Sequence, residues 1–163
     1  MDASMSDKTS SLMDWDKQKL TLGVEEEFHL VDLDSRRITA RARELLEDLS
    51  GGSGTFAAEL QQTVIETNTE ATNSLSSLRN NLVALRTQLV NAARPLGVGV
   101  ASAGTMPLSV PLALTETPRF RRMLADYQLL VREQLICGMQ VHVGIPDREL
   151  AVHLIDRVSG WLP

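Results

Sequence analysis

Three consecutive glutamates inside an apolar, β-branched run constrain this chain more than any other feature. From Leu20 to Leu33 apolar and charged residues alternate, the period-two pattern of a strand. On that strand Gly23, Glu25, Glu27 and His29 share one face, and Val24, Glu26, Phe28 and Leu30 share the other. Glutamate is disfavoured in strands. Glu25 and Glu27, side by side on one face, repel each other unless water, a cation or an arginine neutralises them. The fold must therefore give one face of this strand to solvent or to a cation.

Two other segments carry matching chemistry. Met139 to Ile145 alternates again, so Met139, Val141, Val143 and Ile145 are expected to point inward, with Gln140 and His142 on the opposite face. Phe56 to Thr69 reads as extended and is flanked by Glu59 and Glu66. Those two stand on opposite faces of a regular strand, so a bulge or turn near Gln61-Gln62 is needed to bring them together. Several carboxylates and one imidazole on the polar face of a sheet suit a hard divalent cation such as Mg²⁺ or Mn²⁺. The plainer alternative is a solvated acidic face with His142 at its edge. His29 has the parity of a ligand but lies nearer the strand end, His153 reads as structural, and Cys137 as an inert buried thiol.

The remaining pattern supplies helices. Ala42, Leu45, Leu46 and Leu49 form one side of a short helix that Gly51-Gly52 should end. Leu75, Leu78, Leu82, Leu85, Leu89, Ala92 and Leu96 repeat at steps of three and four, with Asn73 or Ser74 as cap and Pro95 at the close. Val98 to Ala103 is a short uncharged strand. Thr117-Pro118 opens a helix expected to run to about Ile136, where Gly138 stops it. Pro146-Asp147 starts a last helix with Leu150, Leu154, Ile155, Val158 and Trp161 along it. Strands alternating with amphipathic helices indicate a mixed α/β or α+β layer fold, and the pattern leaves strand direction open.

Composition removes whole classes of chemistry. The 163 residues suffice for one domain with a core, and Met1 to Lys19 reads as a disordered leader ahead of it. The three lysines, Lys8, Lys17 and Lys19, all precede residue 20, so no glycine-rich loop ending in Gly-Lys-Ser/Thr exists and a P-loop is excluded. A net charge of −5 speaks against nucleic acid as a partner. One cysteine, Cys137, forbids an internal disulfide or a cysteine-cluster zinc site and fits a reducing, cytoplasmic setting. The uncharged span Pro95 to Thr115 is long enough for a membrane helix, but its three prolines and three glycines rule that out.

Four segments, taken in order, resemble one known family. They are Gly23-Val24-Glu25-Glu26-Glu27-Phe28; Glu59-Leu60-Gln61-Gln62 with Val64-Ile65-Glu66-Thr67-Asn68-Thr69; Ala103-Gly104-Thr105-Met106-Pro107; and Met139-Gln140-Val141-His142-Val143-Gly144. Together they resemble the glutamate–cysteine ligase type 2 family of ATP-dependent carboxylate–amine ligases. The resemblance implies an α+β, glutamine-synthetase-like fold, a curved antiparallel sheet forming half of a funnel backed by helices. It implies ATP and Mg²⁺ (or Mn²⁺) as cofactors, with Glu25, Glu27, Glu59, Glu66 and His142 at metal-ligand positions and Thr67, Asn68 and Gln140 as substrate contacts. The expected partners are glutamate, an amine acceptor such as cysteine, and a second copy of the chain. In this family an acyl phosphate forms on glutamate and the amine attacks it, so no protein nucleophile is expected. Two departures stand out. Met106 occupies a position where many members have histidine, and residues 20–163 match only the N-terminal part of the family's catalytic domain. The C-terminal half would then be needed in cis or in trans. A non-catalytic assembly module keeping the ligase fold, and a metal-dependent phosphatase or nuclease, are the alternatives.

Overall fold

The computed structural model describes residues 20–49, 54–106 and 113–162, so the expected leader Met1 to Lys19 and the Gly51-Gly52 helix stop lie outside it. The acidic run does form a strand, β1 (Thr21–Asp32), and this strand is the axis of the molecule. A short helix α1 (Ala42–Asp48) follows. The segment expected as one extended piece is a hairpin instead. Strands β2 (Thr55–Ala58) and β3 (Val64–Asn68) pair antiparallel, with Ala57 opposite Glu66. Next come the long helix α2 (Leu75–Ala93), a 3₁₀ turn at Arg94–Leu96, and β4 (Val98–Ala101). After these lie α3 (Pro118–Tyr127), α4 (Leu129–Glu133), β5 (Met139–Gly144) and α5 (Arg148–Val158).

Every strand pair is antiparallel, which settles the direction that the sequence pattern leaves open. The sheet runs β2-β3-β1-β4, with β5 also bonded to β1. Glu25 and Glu26 face both β3 and β5, and His29 faces both β3 and β4. It follows that β4 and β5 share one edge of β1, lying end to end, while β3 holds the other. The chain is an α+β protein with an open antiparallel sheet.

The core lies between the sheet and its helices. Phe28, Leu30, Ile65 and Val98 from the strands pack with Ala42 and Leu45 of α1 and Leu89 and Ala93 of α2. The capping expectations hold on α2 and α3. Ser74 Oγ accepts from the Ser77 amide, and Thr117 Oγ1 accepts from the Phe120 amide with Pro118 in the first turn.

Two expectations need correction. The helix from Thr117 does not reach Ile136: it breaks at Gln128, whose backbone turns to φ 42° and ψ −101°. No glycine or proline marks the break. After it α4 buries Val131 against Leu60 and Phe120. The apolar side of β5 has the expected parity but no cover, with Met139, Val141 and Val143 exposed at 57%, 61% and 49%. No residue of α5 is buried either, and Ile155 and Trp161 are 68% and 87% exposed.

Candidate metal centre

The turn that Glu59 and Glu66 required is present, and it brings them together. The chain leaves β2 at Ala58 and re-enters as β3 at Val64, so Glu59 sits at the hairpin end. Glu66 lies opposite Glu27 in the β1–β3 register, and paired residues share a sheet face. Ligand oxygens of Glu27, Glu59 and Glu66 all lie within 4.8 Å of one another, each residue only partly buried. Each carboxylate also has a fixed polar neighbour. Glu27 Oε2 accepts from the Gly138 amide at 2.8 Å, Glu59 Oε2 from the Leu60 amide at 2.8 Å, and Glu66 Oε1 from Asn68 Nδ2 at 2.7 Å. No lysine or arginine is hydrogen-bonded or ion-paired to any of the three among the described contacts.

Crowding shows in the electrostatics. Burial raises the Glu59 pKa above its ordinary value, and the charges of Glu27 and Glu66 push the same way against the Leu60 amide bond. Carboxylate oxygens at this separation are the hard donors that Mg²⁺ or Mn²⁺ prefers, so the three would supply part of such an ion's shell.

The five expected ligands fall into two groups. Glu25 and His142 form a separate pair, with Nε2 to Oε1 at 3.2 Å, on the same strand face as Glu27. They line a cleft of about 260 Å³ with Gly23, Asn68 and Thr69. Gln140 stands opposite Glu25 on this face and is exposed. Asn68, also opposite Glu25, joins the site through Glu66. Thr67 does not. It is 1% exposed and pairs with Glu26 on the core face, and its hydroxyl donates to the Glu26 carbonyl at 3.4 Å. The period of two puts neighbouring residues on opposite faces, so Thr67 and Asn68 cannot both reach the site.

Sequence reasoning missed the role of Gly138, noted only as a helix stop. Its amide holds Glu27, and its carbonyl accepts from the Glu27 amide at 3.1 Å. His29 is buried rather than part of the cluster, and neither ring nitrogen makes a well-formed hydrogen bond. Burial lowers its pKa, offset only in part by the backbone at Ala103. Desolvation, reinforced by the Glu27 charge, pushes the Cys137 thiol up to about 12. It is a structural thiol, as its apolar context suggested.

This open antiparallel sheet with its helices is a fold shared with part of a solved protein. The crystal structure of a glutamate–cysteine ligase from Francisella tularensis in complex with AMP matches 88% of this chain and 30% of its own, with TM-score 0.57 and 18% sequence identity. The particular family follows from sequence. Residues 21–163 match the model of glutamate-cysteine ligase family 2, and the chain belongs to that family. A Mycolicibacterium smegmatis protein with the provisional name glutamate–cysteine ligase 2-2 is 49% identical over 97% of this chain. A Rhodococcus jostii relative, provisionally named glutamate–cysteine ligase 2-3, is 52% identical over 87% of it. The chain spans 40% of the first relative's length and 18% of the second's.

Proposed function

We propose that this chain supplies the metal-binding wall of an ATP-dependent carboxylate–amine ligase that joins the γ-carboxylate of glutamate to an amine such as that of cysteine. The observation that carries this reading is the convergence of Glu27, Glu59 and Glu66 from three parts of the chain, with no lysine or arginine ion-paired to any of them among the described residues. These residues, with Glu25 and His142 beside them, hold Mg²⁺ or Mn²⁺. A bound ion of this kind neutralises charge on ATP phosphate oxygens. The protein's own part is positional. The Gly138 and Leu60 amides and the Asn68 side chain fix the carboxylates before a ligand arrives, so little reorganisation remains on binding. In the reaction the glutamate carboxylate takes the γ-phosphoryl group of ATP and releases ADP. The amine then displaces phosphate and forms the amide. Every covalent step runs between substrates, so the reaction asks no nucleophile of the chain.

Turnover on this reading needs the further polypeptide that the relatives carry, in cis or in trans. The uncovered apolar side of β5 and the apolar stripe of α5 support this. Assay of the chain together with that polypeptide should show ADP release that depends on Mg²⁺, glutamate and an amine. Glu27→Gln should abolish that release while leaving the fold intact, and unchanged turnover would sink the ligand assignment. The same uncovered face favours a second reading, an assembly module in the cytoplasm that keeps the fold without catalysis. A Mn²⁺ titration separates the two, because an assembly module has no need of the ion.

A further inference from the structure

One carboxylate of the acidic strand turns away from the site. Glu26 is 2% exposed and lies between Val24 and Phe28 on the core face of β1. Among the described residues it is the only buried acid. Arg86 of α2 grips both of its oxygens, with Nε donating to Oε2 at 2.9 Å and Nη2 donating to Oε1. The Glu26 backbone carbonyl accepts the Thr67 hydroxyl from the neighbouring strand, so both ends of the residue are held.

Stability alone is a poor reason for this arrangement. Glu26 is buried while the Arg86 side chain is half exposed, and desolvation of the carboxylate offsets much of the attraction. Its place in the fold offers a better one. The main core packs under the Phe28 to Asp32 half of β1, against α1, α2 and β4. Glu25 and Glu27 lie towards the other half, where the apolar face of the adjoining β5 is bare. Glu26 sits between these two residues, flanked on the core face by the buried Val24 and Phe28. It is also the crossing point of the sheet, opposite Thr67 on one side and Met139 on the other.

We propose that the Arg86–Glu26 pair is the positioning device of the ligand strand, tying β1 to α2 so that Glu25 and Glu27 present their carboxylates at a fixed pitch. The fork geometry of arginine suits this task, since two parallel hydrogen bonds fix orientation as well as distance. The inference rests on the metal-site reading above, and its test keeps the two apart.

The full chain would be titrated with Mn²⁺ alone, free ion being read by electron paramagnetic resonance. Amide hydrogen exchange at Glu25 to Glu27 would be followed in parallel. Arg86→Met should weaken Mn²⁺ binding roughly 10- to 100-fold, the loss typical when a group supporting metal ligands is removed. It should also speed exchange at Glu25 to Glu27. The double variant Glu26→Leu with Arg86→Met removes the unpaired buried charge and should recover thermal stability without recovering Mn²⁺ affinity. Wild-type Mn²⁺ affinity in that double variant, with exchange at Glu25 to Glu27 still slow, overturns the proposal and leaves the pair a structural contact. Failure of the wild type to bind Mn²⁺ refutes the metal-site reading instead. Exchange in the double variant then decides: faster at Glu25 to Glu27 with the core unchanged upholds positioning, and unchanged exchange rejects it.

Discussion

Replacing Glu59 by glutamine should make the metal-free chain more stable and the metal-loaded chain less so. Glu27, Glu59 and Glu66 form three repelling pairs with oxygens within 4.8 Å, and neutralising Glu59 removes two of them. At that separation each pair is worth about 0.9 kcal/mol in a water-like dielectric and about 3.5 kcal/mol at an effective dielectric of 20. All three residues are partly solvated, which places the gain near the lower limit, about 2 kcal/mol in total. Glutamine keeps a carbonyl oxygen for the Leu60 amide, so that hydrogen bond survives. For a chain of this size the gain corresponds to a rise in Tm of about 4–8 °C, measured at neutral pH with a chelator present. With Mn²⁺ at a hundred times its Kd, the wild type gains about 2.7 kcal/mol by mass action, and the variant loses most of it. The two melting curves should therefore change order between chelator and Mn²⁺. The pH dependence has a definite sign. A carboxylate whose folded-state pKa is raised favours folding below its ordinary value of 4.5, and that contribution is lost as pH rises through the raised value. Metal-free wild type should lose stability over that window, and Glu59→Gln should not. A variant less stable than wild type in chelator, or one with an undiminished Mn²⁺ shift, would refute the reasoning.

Further measurements bear on other parts of the fold. His29→Leu removes a buried imidazole whose nitrogens make no well-formed hydrogen bond, and should raise Tm by about 3–6 °C without changing Mn²⁺ affinity. It should also abolish a loss of stability that sets in as pH falls below the ordinary histidine value, since a lowered folded-state pKa makes the unfolded chain the better proton acceptor. Cys137 should resist a thiol-specific reagent at pH 8 while the chain is folded and react at once in denaturant, because its thiol is held near 12. Ile65→Ala should cost about 2–5 kcal/mol in a denaturant melt. Val141→Glu, although it breaks an apolar strand face, should cost no more than about 0.5 kcal/mol at an exposed position.

The convergence of Glu27, Glu59 and Glu66 was legible in part because strand parity is a rigid rule. Gly23, Glu25 and Glu27 had to share a face, and Glu59 with Glu66 had to be separated by a turn, as the β2–β3 hairpin shows. Thr67 was misplaced because the motif names residues together that the strand period separates. The break at Gln128 left no local trace, as nothing in Asp126-Tyr127-Gln128 forbids a continuing helix. For β5 the alternation identified the apolar side correctly, but a pattern reports which face avoids water, not whether a partner is there to cover it. Arg86 looked like any exposed helix residue, and only the register of α2 against β1 reveals what it holds.

The end-to-end placement of β4 and β5 on one edge of β1 has a consequence for how such a site is held in place. Each strand is hydrogen-bonded to β1 on its own account, β4 through His29 to Asp32 and β5 through Thr21 to Glu26. The chain comes to that edge again at Gly138, beside Glu27. The register of β1 is therefore set by each strand's own hydrogen bonds and not by the length of chain between β4 and β5. The described stretch from 113 to 131 is not loose either, since Thr115 donates its hydroxyl to the Glu59 carbonyl and Gln61 accepts from the Ala113 amide, so it braces the turn that carries Glu59.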